Sequence, residues 1–418
     1  MRLMNYNDLS GKSVLLLGKT RALQSDEFDA LLRVHNVTRV SVYDSTVALI
    51  IEGRMMNPYE QSEAEHLYET QDAPIVELSE IERWLCQSIE PNRLLMSLKL
   101  SRNQERLVDF LQNPYITNEL YFKLLALYDW QNEGLFDTDT NRDVTASIIG
   151  RFYKELERNH NVQYAMSGLA HLIERYGTTE LIDAIACLEP IAKVLRDRSN
   201  RSLSGVLDAI ALHPQTSEVI LRKLIEERAT LLAHREPLSL EEELLALKSE
   251  EINTILAQNK TLSQQGTDSL ERDFPQLIAA NAIMSEERFE RLIEAYGEYL
   301  ASNQSCSISM QQRLFALGEE AIIESLAANP KTHEEILEVI FESGKHRVAL
   351  GSNSSLSPEK LEILYASQEY KVLEALAANT ATPIYLLYQL SLDRRFERSV
   401  KTNPAFGKHI QTHNIGWH

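Results

Sequence analysis

The sequence predicts a mainly α protein, an array of short helix pairs behind a small N-terminal α/β domain. Three observations carry this expectation. A phrase recurs toward the C-terminus, as LEALAANTATPIYLLYQL, IESLAANPKTHEEILEVI, VALGSNSSLSPEKLEILY and ERSVKTNPAFGKHI. Its turn asparagine falls at Asn259, Asn281, Asn303, Asn329, Asn353, Asn379 and Asn403, at intervals of 22 to 26 residues. That period suits helical repeats and is too long for a heptad. From Pro91 onward every long apolar pattern has helical spacing, and short strand-like apolar runs are confined to the residues before it. The division expected is 1–92 as the α/β domain, 93–250 as degenerate helical repeats and 251–418 as regular ones.

Taken in order, Ser13 to Gly18 (SVLLLG) is a short apolar run that reads as a buried strand. Asp26 to Leu32 has helical spacing behind Ser25 as N-cap. Strands follow at Thr38–Val42, Val47–Ile51 and Ile75–Val76, with helices at Tyr59–Glu69 and Glu80–Ile89, the last carrying Trp84. Alternation of this kind makes a compact unit with a small, mostly parallel sheet.

This stretch resembles a BRCT domain over about residues 10–90. The resemblance rests on GKSVLLLG, the strand VALIIEG, the helix QSEAEHLYE, the phrase APIVELSEIERWL and Trp84. It implies a link to DNA replication, repair or defence. Two features depart from the family. Asn36–Val37 replaces its glycine pair after the first helix, and Leu17 precedes Gly18 where phosphopeptide-reading members have Ser or Thr. The second helix also lacks the lysine of those members, so phosphate recognition is not carried over. Lys19 and Thr20 lie near that position as candidate partner-binding residues, against the simpler reading of a solvated loop.

Beyond Pro91, the segment Arg93–Leu111, the Asn113-Pro114 turn and the helix Glu119–Tyr128 already form one repeat. The insertion Trp130–Asp143 contains DTDTNRD, which has the alternating oxygen side chains of a calcium loop. It lacks the glycine and terminal Glu of an EF-hand, and reads as a solvated turn. Asn159 and His213-Pro214-Gln215-Thr216 read as degenerate repeat turns.

In the regular repeats, Leu373, Leu376 and Ala377 line one helical face, and Leu386, Leu387 and Leu390 a second after the turn. A unit this small must be covered by its neighbours. Capping chemistry is expected of the turn: Asn in the left-handed conformation, then Thr332 or Thr382 as cap of the next helix, with a capping box at Thr332-His333-Glu334-Glu335. The phrase resembles the leucine-rich repeat variant family, most strongly over residues 320–405. That resemblance implies a right-handed α-solenoid of LRV/HEAT-like helical repeats. The iron–sulfur cluster of some members is not expected, because Cys86, Cys187 and Cys306 are scattered.

Composition bounds the partners. The net charge is −19, from 42 basic and 61 acidic side chains, and residues 101–329 hold 22 and 36 of these. A surface so acidic repels phosphate backbones, which disfavours nucleic acid along the whole array. Neither an apolar leader nor a membrane-length run occurs, so a cytoplasmic protein without a membrane partner is expected. Arg394, Arg395, Arg398 and Lys401 form the clear basic cluster and are candidate partner-binding residues against a solvated helix face. His409, His413 and His418 offer histidine spacing for a metal but no nearby acidic ligand, and read as a polar cap. No nucleophile, P-loop or metalloprotease motif is present. The expectation is a non-enzymatic scaffold or adaptor without cofactors that binds another protein. The alternatives are a nucleic-acid-binding repeat protein, glycosylase-like in one form, and a homo-oligomeric assembly.

Overall fold

A computed structural model of the chain describes residues 6–70, 73–154, 160–195 and 203–412. It is mainly helical, with one small parallel sheet among the described residues. The chain divides into two compact units, Met1–Glu227 and Arg228–His418.

The first unit opens with the sheet. Strands β1 (Ser13–Leu17), β2 (Thr38–Val40), β3 (Val47–Glu52) and β4 (Ile75–Glu77) lie in the order β2-β1-β3-β4, all parallel. Side chains alternate across the sheet. Leu15, Leu17, Val47 and Ile50 pack with Ala64 and Leu67 of α2 (Pro58–Thr70). Helices α1 (Ser25–Val34) and α3 (Leu78–Cys86) pack against each other and bring Phe28, Leu32, Ile81 and Leu85 into the core. Trp84 is half-buried, its ring 4.2 Å from that of His35 and 5.6 Å from that of Tyr6.

Two turns explain how this small unit closes. Gly18 has φ +88°, and a Cβ there would sit 2.6 Å from the Arg54 carbonyl oxygen, so only glycine lets β1 leave the sheet so close to the end of β3. After α1, Asn36 supplies the left-handed residue at φ 57°, and its carbonyl accepts from the Gly11 amide at 2.7 Å. Asparagine tolerates that conformation better than other non-glycine residues, which is how the turn forms without a glycine pair.

In the second unit each repeat is a first helix, an asparagine turn and a second helix. Glu320–Ala328, Asn329 and Glu334–Glu342 form one; Tyr370–Ala378, Asn379 and Ile384–Ser391 form another. First helices pack on first helices of the next repeat, and a continuous core runs from Ala279 to Phe406. Leu300, Leu326, Leu350 and Leu376 supply it from the first helices, and Leu314, Ile340, Leu364 and Leu390 from the second. Tyr296 is a non-helical residue inside Glu286–Ser302, so that one second helix runs into the following first helix without a loop.

The turn differs from expectation in its chemistry. Asn329, Asn353, Asn379 and Asn403 are not left-handed; their φ values lie between −71° and −78°, with ψ of 114° to 124°. The reason is where the side chain goes. Each amide Nδ2 donates to two carbonyls of the preceding repeat: Asn353 to Ala327 and Asn329, Asn379 to Gly351 and Asn353, Asn403 to Ala377 and Asn379, all at 2.8–3.0 Å. Each Oδ1 accepts the amide two residues on, as from Ser355 at 2.8 Å and Ala381 at 2.9 Å. Extended backbone aims the amide backward along the array, where it satisfies carbonyls left open at a helix end.

Thr332 and Thr382 also depart from expectation. Their hydroxyls donate back to Leu326 and Leu376 carbonyls, each at 2.7 Å, and do not cap the next helix. That helix begins at an N-cap His333 or Pro383 without a side-chain cap, so no capping box forms. Cys306 fills the threonine position and lies 3.3 Å from the Leu300 carbonyl. Asn281 matches the phrase but stays helical, its amide bonding Leu277 in its own helix at 2.9 Å. The turn slips by one residue to Ala282, and Asn303 reaches Ala279 and Ala282 instead.

Degenerate turns in the first unit use substitutes. At His213 the ring Nδ1 accepts the Gln215 amide at 3.1 Å, and Thr216 bonds Ile210 at 2.6 Å, copying the Asn/Thr pair with an imidazole. Asn159 lies outside the described residues. Asn113 accepts from Tyr115 at 2.8 Å and donates to Ala22 at 2.9 Å, so the first turn of this kind grips the α/β domain's own loop.

Candidate interaction surfaces

Lys19 and Thr20 follow β1 into the loop that precedes α1. The Lys19 backbone is tied to Arg54 by amide–carbonyl bonds of 2.7 and 2.9 Å, leaving the side chain exposed. Thr20 lines a cleft of about 520 Å³ with Arg21 to Gln24 and Asn113 to Tyr115. Three successive amides just beyond, Arg21, Ala22 and Leu23, converge on Glu82 Oε1 at 2.9, 2.8 and 3.2 Å. Converging backbone N–H groups form a nest that holds an anion. Here the chain fills that nest with its own carboxylate: Glu82 is fully buried, and its Oε2 has no hydrogen-bond partner. Sequence reading missed Glu82 because ELSEIERWL shows three glutamates with nothing to separate the inward one except its helical register with Leu78 and Leu85.

The basic cluster is divided by its partners. Arg395 makes a bidentate pair with Asp393, the shortest contact 2.6 Å, and lies 5.6 Å from the Tyr370 ring centre and 5.3 Å from that of Phe396. Its guanidinium holds the Asp393 carboxyl below the usual range. Lys401 pairs with Glu397 at 2.7 Å. Arg394 and Arg398 remain exposed and in no ion pair among the described residues. Lys401 occupies the place of Ala301, Ala327, Gly351 and Ala377 in earlier repeats, where those small residues are buried. A Cβ on Gly351 would come within 3.3 Å of the Ala375 methyl in the next first helix. A charged side chain there could not be covered in the same way.

DTDTNRD starts a helix. Thr138 caps Asp139–Phe152 by accepting from Asn141 at 3.1 Å, Asp139 pairs with Arg142, and buried Asn141 accepts from Tyr128 at 2.7 Å. Beside it Glu105, Asp109, Asp129 and Asp143 line an acidic cleft of about 500 Å³. Among the described residues no His/Cys/Asp/Glu group has the placement to hold a metal. His409 lies in Pro404–Thr412 beside Tyr388, whereas His413 and His418 fall outside the described residues. Burial pushes the Cys86 thiol up to about 11 and that of Cys306 to about 12, so both are poor nucleophiles.

The largest buried charge is Arg288, 1% exposed. It is held by Asp268 at 2.5 Å, Glu271 at 3.0 Å and the Ile283 carbonyl at 3.1 Å, and Glu271 is shared with Arg291. Hydrogen bonds from Arg291, then Arg288, lower the Glu271 carboxyl's pKa. The same pattern of lateral pairing links later second helices: Arg313 with Glu290 at 2.6 Å, Lys360 with Glu338, and Tyr385 with Glu362.

In comparisons with known proteins, no family model, curated protein or solved structure matches the chain. No helix among the described residues is long and apolar enough to cross a membrane.

Proposed function

We propose that the chain is a non-enzymatic scaffold: a BRCT-like head joined to an LRV-like right-handed α-solenoid whose outer surface binds another protein. One observation carries this reading. The residues that repeat are spent on the interior, as the asparagine ladder and the leucine core, while an equivalent exposed position of successive second helices holds Arg313, Val339, Ile363 and Gln389. A regular frame with a different side chain at each step suits recognition of an extended partner. The head's loop nest is occupied by Glu82, which favours a role in protein contact over phosphate reading. Arg394 and Arg398 offer a second, cationic contact for an acidic partner.

The test is affinity capture with the full chain from nuclease-treated extract, set beside a duplex-DNA titration at several salt concentrations. A protein recovered in fixed ratio and insensitive to nuclease is the expected result. DNA affinity that falls steeply with salt and vanishes in Arg394→Glu/Arg398→Glu, with no protein captured, would replace this reading by direct nucleic-acid binding.

A further inference from the structure

We infer that the working face of the repeats is the row of second helices between residues 286 and 391, and that its partner is a cationic amphipathic helix. This deepens the scaffold reading and rests on it. The lateral contacts Arg313–Glu290, Lys360–Glu338 and Tyr385–Glu362, with Gln311 bonding the Lys331 carbonyl and the His333 amide ahead of Glu334–Glu342, tie consecutive second helices side by side into one surface. They also consume its positive charge. Arg288, Arg291, Arg313 and Lys360 are the only basic residues on these helices, and every one is already held by a carboxylate. Glu286, Glu287, Glu294, Glu334, Glu342 and Glu359 are exposed and in no ion pair among the described residues.

Charge alone would describe a solvated face. Large apolar side chains nevertheless stand in the middle of it: Val339 is 53% exposed and Ile363 60%, at equivalent positions of neighbouring repeats, and Leu392 is exposed just past the end of the next helix, where Gln389 holds the equivalent position. Val339 follows Glu338 and Ile363 follows Glu362, and each of those glutamates reaches to the next helix. The two apolar positions therefore lie on adjoining helices, flanked by Glu335, Glu342 and Glu359. Exposed apolar contacts bordered by carboxylates, of which Glu342 and Glu359 are in no ion pair among the described residues and Glu335 has only the His333 ring at 3.9 Å, complement a helix with one apolar stripe and lysine or arginine beside it. An acidic or nucleic-acid partner would meet repulsion along the whole row.

The experiment uses the full chain and two fluorescent synthetic helical peptides of equal length. One has leucine at i, i+4, i+7 and i+11 with lysine on the flanks, and the other replaces lysine by glutamate. Anisotropy titrations are run on the wild type, on Val339→Lys/Ile363→Lys, and on the control Val348→Lys/Glu374→Lys, which alters the first helices. The lysine peptide should bind the wild type and the control within about twofold of each other, weaken at least roughly tenfold on the second-helix variant, and outcompete the glutamate peptide. Equal weakening in both variants overturns the proposal, because binding would then follow net charge alone; no weakening in the second-helix variant overturns it too, because the peptide would then bind elsewhere. If neither peptide binds while a captured protein is still held by Val339→Lys/Ile363→Lys, this face is wrong and the scaffold reading survives.

Discussion

Replacing Asn353 by alanine should uncouple two neighbouring repeats while leaving each one intact. Asn353 is fully buried; its Nδ2 serves the Ala327 and Asn329 carbonyls, and its Oδ1 the Ser355 amide and hydroxyl. In Asn353→Ala three backbone groups lose that partner, at about 1 kcal/mol each, so the expected loss is about 3 kcal/mol. Asn281→Ala is the internal control. It removes one bond within a single helix from a half-buried residue, and should cost under about 1 kcal/mol. Urea unfolding followed by far-UV circular dichroism gives both values. Hydrogen exchange should locate the Asn353→Ala loss at residues 347–366, since nearest-neighbour coupling is what holds repeat proteins together. Equal costs for the two variants would refute the ladder argument, because asparagine would then act only as a local turn residue.

Three further outcomes follow from the sites described. Glu82→Ala should expose the Arg21–Leu23 amides to rapid exchange and lower stability by about 3 kcal/mol, the cost of three unpaired donors; unchanged exchange there would show that the nest does not need its carboxylate. Arg288→Ala should cost about 3 kcal/mol, since Asp268, Glu271 and the Ile283 carbonyl each lose a hydrogen bond at about 1 kcal/mol while Arg291 still holds Glu271, and Arg291→Ala, exposed, should cost under about 1 kcal/mol on the same urea assay. Burial against Trp84 depresses the His35 pKa, so folding favours the neutral ring. Its contribution is complete above the unfolded value of about 6.5 and is lost as pH falls through and below it. Thermal melting should therefore drop more steeply across that window in the wild type than in His35→Gln, and parallel curves would contradict the assignment.

Much of the architecture was legible because it depends on patterns local to the chain. The strands at Ser13, Thr38, Val47 and Ile75 announce themselves through short apolar runs between polar turns, and the repeats through leucines at helical spacing around a fixed Asn. What failed was the role of individual turn side chains, some of whose partners lie more than twenty residues away. Asn353 reads locally as a helix-ending residue, and nothing in its own segment reveals that its amide spans to Ala327 and Asn329. Thr332 stands where an N-cap belongs, yet its hydroxyl satisfies a carbonyl of the helix before it. Asn281 follows two alanines as Asn329 and Asn379 do and still falls out of the ladder, because its helix runs one residue longer. For the candidate surfaces, the sequence shows the cations at 394–401 with Asp393 and Glu397 two and four residues from Arg395 and Lys401, and the structure shows that these two cations are the paired ones while Arg394 and Arg398 are not. The pairing of Val339 with Ile363 is equally hidden, since each is one apolar residue among several in its helix, and only the fold shows that it is the exposed one and aligns it with its counterpart in the neighbouring repeat.

The most direct test of the scaffold account is hydrogen exchange on the full chain, alone and with its captured partner. Protection concentrated on residues 334–342 and 358–366, with the Asn turns protected equally in both states, is the expected result. Protection that appears instead around Arg394–Arg398 on adding duplex DNA, with no change caused by any protein, would contradict it.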